Sequence, residues 1–483
     1  MIVLLLLAAP TAAGVLALAA PRFGARAGTV LGVSLLHLAL VGALWAWPGQ
    51  GALGAWISVD ALGLLVLSLV SLTFAVVGCY VVGYLRYSPP SSGAGAARAP
   101  RGGRAFVGCL LLLLAAATLV CVSQHMALLW VGLEAVTLSV APLIYHEQDR
   151  RSLEAVWKYL VLSSVGIALA LLGTFFLATA QQAGTPLLFA DLLRGARALH
   201  PGWLQAAFVF LLLGYGLKMG LAPLHTWKPD TYGEAPSLVG ALMAADVTAC
   251  AFLGLARITA VGMHAGIGPF MQPLLLGFAL LSLAVAATFM LGQRDLKRLL
   301  AYSSVEHMGL LTLGLSVGGA GAYGAVYHLL NNGLAKAFAF LAVGNIVLAT
   351  GTARLEGARA LLRRVPFSAG LLLAGLLALT GSPPFGTFLS MLLIVRATWA
   401  GPFRWAALPV CALLAVLFVP LAARVLEAAY GEHPAAERHH EGPWLTVAPL
   451  ALAGVLVALG LFLPVPLREQ LAAAASTLGG QRP

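Results

Sequence analysis

Long apolar runs of about 20 residues alternate with short polar segments along the whole chain. A run of this length can cross the hydrocarbon core of a bilayer as one α-helix. The pattern predicts fourteen membrane-spanning segments, numbered here in chain order: 1–20, 28–47, 60–85, 105–123, 126–145, 156–180, 203–222, 236–260, 268–291, 299–317, 320–349, 366–398, 404–426 and 444–464. We therefore expect an all-α polytopic membrane protein.

Prolines interrupt the seventh and the twelfth of these segments. Pro223 follows the run GYGLKMGLA, and Pro383 with Pro384 follows LTGS. Proline removes a backbone donor and clashes with the preceding turn, so both helices should break inside the membrane. Broken helices at corresponding positions of two halves are typical of inverted-repeat transporters. An offset of five helices inverts the orientation, so we expect two inverted five-helix repeats.

This interpretation divides the chain into four parts. They are 1–104 (segments 1 to 3 and a basic linker at 88–104), 105–262 (the first repeat, segments 4 to 8), 263–427 (the second repeat, segments 9 to 13) and 428–483 (a polar loop at 431–442, segment 14 and a short tail). We expect the tail to be too short for the long lateral helix with which some membrane-arm proteins brace their neighbours.

Composition leaves no part of the chain for a soluble domain. The 483 residues are 60% hydrophobic and 9% charged, with a mean hydropathy of +0.94, whereas soluble domains carry about 25% charged residues. The first segment has no basic residue before its apolar run, so we interpret it as a retained helix and not as a signal peptide.

The basic residues predict an orientation. With the N-terminus outside, fourteen crossings place most of the arginines and lysines on one side, as the positive-inside rule expects. We therefore expect a location in the cell (inner) membrane with both termini on the periplasmic side. The net charge of +11 is spread over helix ends and forms no aromatic-interleaved patch, which argues against nucleic-acid binding.

Three charged residues lie deep inside apolar segments: Glu134 in the fifth, Lys218 in the seventh and Lys336 in the eleventh. An unpaired charge at mid-membrane costs about 2.5 to 3.5 kcal/mol on insertion scales, so such residues usually mark ion or proton pathways. Glu134 and Lys218 are the candidate pair, because a Glu/Lys pair can change its charge state as the separation changes. A permanent structural ion pair is the alternative.

The eleventh segment carries a polar stripe. His328, Asn332 and Lys336 recur every fourth residue, which places them on one helical face over about 12 Å. This spacing favours a hydrated proton path, although His328 and Asn332 can also serve as interhelical packing groups. Asp246 is a further buried acid without an obvious partner, either functional or locally satisfied, and Asp60 we interpret as interfacial.

Neither the cysteines nor the histidines indicate a cofactor site. All five cysteines fall within apolar runs without the spacing of an iron–sulfur or zinc ligand set, and we expect no cofactor or metal in this chain. The polar loop contains His433, His439 and His440, which could bind a metal, but a solvated connector is the preferred interpretation.

Five long motifs resemble a known family. In chain order they are WVGLEAVTLSVAPLIYH, SLEAVWKYLVLSSVGIALALLGT, GYGLKMGLAPLHTWKPDTYGEAPS, DLKRLLAYSSVEHMG and HLLNNGLAKAFAFLAVGNI. They are similar to the proton-translocating, antiporter-like membrane subunits shared by respiratory complex I, Mrp-type antiporters and membrane-bound NiFe hydrogenases. The resemblance covers roughly residues 60–425, and LEAVWKYL and SSVEHMG look most similar to component F of hydrogenase 4.

The resemblance implies a proton pathway driven by redox chemistry in partner subunits. Its residues would be the glutamate and lysines already singled out, with two histidines and one further lysine: Glu134, Lys218, Lys336, His328, His307 and Lys297. Other membrane subunits and peripheral redox subunits are the partners that it implies.

The chain departs from the family pattern at two places. Met391 occupies the position after PPFGTFLS where many relatives have an ionisable residue, and the nearest charge is Arg396. The eighth segment has Thr248 and Ala249 where many pumping relatives carry a lysine. Asp246 and Arg396 are candidate substitutes.

Three functions therefore remain open. The first is a proton-translocating subunit of a redox-driven respiratory or hydrogenase complex. The second is a structural or coupling subunit with a degenerate channel, including one serving a non-redox inorganic-carbon uptake partner. The third is a subunit of a multi-subunit cation/proton antiporter.

Overall fold

The computed structural model describes residues 1–19, 26–87, 103–181, 185–433, 437–439 and 441–479. Regular structure in these ranges is helical. Most of the predicted basic linker at 88–104, and His440 in the predicted polar loop, lie outside the described residues.

The first half of the chain forms α1 to α11. Their bounds are α1 Ile2–Ala19, α2 Arg26–Ala46, α3 Ala61–Tyr87, α4 Arg104–Val122, α5 Met126–Ile144, α6 Arg150–Ala180, α7 Phe189–Arg194, α8 Pro201–Met219, α9 Trp227–Glu234, α10 Ser237–Leu242 and α11 Thr248–His264. A π-helical turn at Met243–Val247 joins α10 to α11 as one continuous span.

The second half forms α12 to α20. Their bounds are α12 Gly268–Leu291, α13 Leu296–Val317, α14 Ala320–Thr350, α15 Leu361–Arg364, α16 Pro366–Leu379, α17 Gly386–Ala400, α18 Ala407–Tyr430, α19 Pro443–Leu461 and α20 Val465–Thr477.

The helices confirm the predicted all-α polytopic architecture. Within the described residues, twelve helical spans are long and apolar enough to cross a membrane. The tenth predicted segment is α13, which has membrane length but carries Lys297, Arg298 and Glu306. The twelfth is divided between the shorter helices α16 and α17. Helix α20, which was not predicted from the apolar runs, packs against α3 and α14.

Both predicted helix breaks are present. In the first, α8 ends at Met219, Gly220 adopts a left-handed conformation (φ 76°), and the chain passes Pro223 before α9 begins. In the second, α16 ends at Leu379 and Gly381 (φ 64°) leads through the two prolines into α17. Glycine adopts positive φ without steric penalty, so it allows the backbone to leave the helix directly after each helix end.

The interior of the bundle is built from the helices that carry the polar residues. The continuous span Ser237–His264 is buried along the apolar window that could cross a membrane, and α14 is buried from Gly321 to Ile346. Helices such as α6 and α18 instead turn large apolar side chains outward, including Trp157, Phe175 and Phe418. This arrangement is that of a membrane protein, with lipid-compatible side chains outside and polar groups within.

Candidate functional site

An ion pair lies beside the first helix break. Glu134 of α5 and Lys218 of α8 approach to 3.6 Å between Oε2 and Nζ. The lysine side chain is 3% exposed, whereas the glutamate side chain is 26% exposed. Lys218 also donates a hydrogen bond to Oγ1 of Thr137, nearly one turn after Glu134 on α5. The structure thus brings together the two residues that the sequence analysis paired.

The break itself helps to hold the lysine. Lys218 lies in the last turn of α8, where the partial negative charge of the helix C-terminus favours a cation. Trp227, at the start of α9, donates from Nε1 to the carbonyl of Leu217 over 2.9 Å and ties the two ends of the break together. The glutamate comes from a different helix, so movement of one helix relative to the other changes the ion-pair distance.

A second cluster lies between α13 and α14. Nζ of Lys336 donates to the carbonyl of Leu300 over 3.2 Å, and both Lys336 and the neighbouring Asn332 are buried. Nδ1 of His307 lies 3.0 Å from Nε2 of His328, within hydrogen-bond distance. Lys336 lies within electrostatic range of both histidines, so these three buried residues form one cluster.

Glu306 is a member of this cluster that sequence reasoning missed. Its side chain is buried, and its carboxyl group lies within electrostatic range of Lys336. The signal was present in the motif SSVEHMG, where Glu306 directly precedes His307 in an otherwise apolar segment. Lys336 consequently has an acidic neighbour, much as Lys218 has Glu134.

The second helix break continues the cluster with a hydroxyl group. Oγ of Ser390 in α17 lies 2.8 Å from Nδ1 of His328 and donates to the carbonyl of Thr387 over 3.0 Å. The next residue, Met391, is buried, and its sulfur lies against Gly381. Arg396 lies on an exposed face of α17. The exposed position of Arg396 therefore does not support the prediction that it replaces the ionisable residue missing at position 391.

Lys297 lies where the interior opens to two polar cavities. Its Nζ donates to the carbonyls of Gly233 (2.9 Å) and Ala235 (2.8 Å), and so caps the C-terminal end of α9. A cavity of about 280 Å³ includes Glu147, Glu234 and Lys297 in its lining. A second, of about 480 Å³, shares Glu234 and Lys297 and includes several arginines. Lys297 thus lies at a polar vestibule and not in the buried clusters.

Asp246 is paired with a hydroxyl group on another helix. It is buried in the π-helical turn, and Thr73 of α3 donates to its Oδ1 over 2.7 Å. Oδ2 of Asp246 has no hydrogen-bond partner among the described residues. One carboxylate oxygen of Asp246 is therefore hydrogen-bonded locally, which is one of the two interpretations that the sequence left open.

Asp60 has a partner that the sequence did not reveal. Its Oδ1 lies 2.8 Å from Nη2 of Arg257, a buried arginine in the middle of α11 that also donates to the carbonyl of Ser123. This aspartate is about one quarter exposed, so its position at the start of α3 agrees with an interfacial residue that is also an ion-pair partner.

The described residues contain no group of three or more His, Cys, Asp or Glu side chains able to hold a metal ion. The polar groups that converge in the interior are instead single ionisable residues linked by hydroxyl and imidazole groups. Such a set can carry protons from group to group.

Comparison with known proteins identifies the family of the chain. Residues 123–417 match the family described as "NADH:quinone oxidoreductase/Mrp antiporter, TM". The chain is 33% identical over 321 residues to the hydrogenase-4 component F homolog of Methylacidiphilum infernorum (isolate V4), covering 64% of this chain and 66% of that relative, just under two thirds of its length. It is 32% identical over 390 residues to NADH-quinone oxidoreductase subunit N of Desulforudis audaxviator (strain MP104C), covering 76% of this chain and 75% of that relative.

Solved structures share the fold over nearly the whole chain. A subunit of respiratory complex I from Thermus thermophilus superposes with a TM-score of 0.78 at 26% identity, covering 98% of this chain and 100% of that one. A chain of the membrane-bound sulfane sulfur reductase, an archaeal respiratory membrane complex, gives a TM-score of 0.87 at 24% identity, with 99% and 97% covered. The resemblance inferred from the motifs is therefore confirmed: the chain belongs to the NADH:quinone oxidoreductase/Mrp antiporter family of multi-pass membrane proteins, as an antiporter-like subunit.

Proposed function

We propose that this chain is a proton-translocating membrane subunit of a redox-driven respiratory or hydrogenase complex. The observation that carries the proposal is the Glu134–Lys218 ion pair, buried on the lysine side and placed at a break in a membrane helix. The electrons and cofactors belong to partner subunits. The chain is expected in the inner membrane with both termini outside.

The first step of the mechanism takes place at this ion pair. At 3.6 Å the carboxylate stabilises the ammonium of Lys218. When α5 and α8 move apart, that stabilisation is lost while the lysine stays buried, so its proton is released to the interior. When the pair closes again, Lys218 takes up a proton and the cycle can repeat.

The second step uses the cluster on α13 and α14. A proton that reaches Lys336 can pass to the linked imidazoles of His307 and His328 and on to the hydroxyl of Ser390. Each transfer moves one proton from a donor to a neighbouring acceptor and leaves the total charge unchanged. Lys297, at the polar vestibule, is the group best placed to exchange protons with solvent.

The partners of this subunit are proposed from its surface. Helix α6 presents an outward stripe of large apolar side chains: Leu153, Trp157, Val161, Val165, Leu172 and Phe175. In a single subunit this stripe faces lipid, and in an assembly it can pack against the helices of other membrane subunits. Relatives named as subunits of multi-subunit complexes support the second arrangement.

One observation favours a second function. Met391 is buried beyond Ser390, where a proton would have to leave the chain of hydrogen-bonding groups. A thioether accepts hydrogen bonds only weakly and carries no exchangeable proton. A coupling or structural membrane subunit with an incomplete outlet is therefore the second candidate.

The test is proton uptake by the intact complex. The complex is purified from the native membrane through this chain, its subunits are identified, and proton uptake is measured in vesicles with the electron donor that those subunits imply. Lys218→Met, which keeps the side-chain length and removes the charge, should abolish uptake while electron transfer continues. Arg404→Gln removes an exposed charge from the turn before α18 and should leave uptake unchanged.

The two candidate functions give different results. Unchanged uptake in an assembled Lys218→Met complex would rule out the pump mechanism described here. A wild-type complex that transfers electrons without moving protons would favour the coupling subunit.

A further inference from the structure

The interior contains a third lysine, which none of the steps above uses. Lys228 lies in the first turn of α9, directly after Trp227, and its side chain is completely buried. Its Nζ has no hydrogen-bond partner among the described residues. A buried ammonium group in this situation is costly, so its presence needs an explanation.

The side chain of Lys228 lies along the first helix break. A Cβ added to Gly220 would overlap the Cδ and Cε atoms of Lys228, so the lysine packs against the residue that ends α8, two positions after Lys218. Its Nζ lies 5.8 Å from the centroid of the Tyr232 ring, within cation–π range. The Lys228 side chain therefore lies beside the residues that hold the first ion pair.

Lys228 is also close to the second cluster. It lies within electrostatic range of Lys336 and of His307. The hydroxyl groups of Thr231 and Tyr232, on the same short helix, are buried and have no hydrogen-bond partner among the described residues. Buried polar groups in proteins are almost always hydrogen-bonded, commonly to internal water, so these hydroxyls and the ammonium indicate a hydrated site between the two clusters.

Packing alone does not account for this lysine. A methionine or leucine side chain fills a similar volume without the cost of burying a charge, and buried charges replaced by apolar residues often leave a protein equally or more stable. The position of Lys228 in the first turn of α9 adds to the cost, because the N-terminal end of a helix disfavours a cation. A lysine at this position therefore costs stability.

We propose that Lys228 is the central proton relay between Lys218 and Lys336. This inference rests on the proposed proton translocation and assigns its middle step. The ammonium of Lys228 gives one proton, through hydrogen-bonded water, to the neutral amine of Lys336, and its own neutral amine then accepts one proton from the ammonium of Lys218. Repulsion between Lys228 and Lys336 favours states in which only one of the two is charged, so loading one empties the other.

The experiment compares proton uptake with stability in the same variants. Lys228→Met and Lys228→Gln are introduced into the intact complex, and each is measured for electron transfer, for proton uptake in vesicles and for thermal unfolding in detergent. A relay role predicts that uptake falls at least about tenfold while the unfolding temperature is unchanged or higher. Lys158→Met is the matched control. Lys158 of α6 is partly exposed and pairs at 2.8 Å with Asp230, which lies on the same helix as Lys228, α9. This variant should keep near wild-type uptake.

The results separate this inference from the function on which it rests. If the wild-type complex takes up no protons, the proposed function fails. If the wild type takes up protons and both Lys228 variants do so equally well, only the relay role is overturned. Loss of assembly in both variants, or lower stability with a proportionate loss of electron transfer and uptake, would assign Lys228 a structural role and also overturn the relay.

Discussion

The two helix breaks have similar backbones but different side chains. Each follows a helix end with a glycine at positive φ and a proline. The first break places Lys218, His225 and Lys228 in the interior, whereas the second offers only hydroxyl groups, such as Thr387 and Ser390, before Met391.

This difference separates two uses of a broken helix. Irregular backbone inside a membrane is tolerated where it is buried in protein or lines a polar cavity. At the first break the backbone accompanies ionisable groups that can store charge. At the second it accompanies groups that can only pass a proton along. Ionisable groups are therefore concentrated at the first break. Proton transfer at the second break depends on the cluster between α13 and α14, which contacts Ser390.

The largest expected effect is at the ion pair of the first break. Glu134→Gln and Lys218→Met should each lower proton uptake by about a hundredfold or more. The double variant should be no lower than either single one, because two residues that act as one unit give non-additive losses. Proton uptake in vesicles with a constant electron donor is the measurement.

A matched change at the second break sharpens this result. Ser382→Ala removes a hydroxyl group that contacts Thr380 over 3.3 Å, and it should leave uptake close to wild type. Losses that add in the Glu134→Gln/Lys218→Met variant would mean that the two residues act independently and would contradict the ion-pair mechanism.

The next effect concerns the two glycines. Gly220→Ala combines positive φ with an overlap against the buried Lys228 side chain, and should lower the free energy of unfolding by about 2 to 4 kcal/mol. Gly381→Ala meets the movable end of Met391, and should cost only about 1 to 2 kcal/mol. Thermal unfolding in detergent measures both.

Gly370→Ala is the control, since a Cβ there meets nothing within 4 Å. Equal destabilisation by Gly220→Ala and Gly381→Ala would mean that the side chains packed against the two breaks are equally adaptable.

A smaller effect is expected from adding an acid to the second break. Met391→Glu places a carboxyl group directly after Ser390, whose hydroxyl contacts His328. If the missing ionisable group limits proton release, uptake should rise about twofold to tenfold. Met391→Gln is the uncharged control. No rise with Met391→Glu in a folded complex would show that the outlet does not limit transport.

The smallest effect is expected at Asp246, which belongs to neither break. Asp246→Asn keeps the shape and the hydrogen bond from Thr73, so uptake should stay within about twofold of wild type. Loss of uptake with electron transfer intact would place Asp246 in the proton pathway, as the sequence alone allows.

The sequence predicts the broad architecture well because its signals are long and local. A run of apolar residues identifies a membrane helix without knowledge of its neighbours, and prolines identified both breaks. Glu134 and Lys218 were paired correctly because a buried charge in lipid needs a partner, and few candidates exist.

The residues that were missed depend on contacts between distant segments. Glu306 directly precedes the histidine of its motif, but only the fold brings it near Lys336. No residue near Arg257 in the sequence indicates its partner, and its pairing with Asp60 joins α11 to the start of α3. Lys228 lies between the predicted segments 203–222 and 236–260, and only the fold shows that it is buried.

The cluster between α13 and α14 also affects how these helices insert into the membrane. Alone in lipid, α14 would expose Lys336, His328 and three asparagines. A lysine at the centre of a membrane helix costs about 2.5 to 3.5 kcal/mol on insertion. The carbonyl acceptor of Lys336 and an imidazole partner of His328 both lie on α13, which Gly318 and Gly319 join directly to α14. The two helices are therefore suited to leave the translocon together as one hairpin, whose members shield each other's polar groups from the bilayer during biosynthesis.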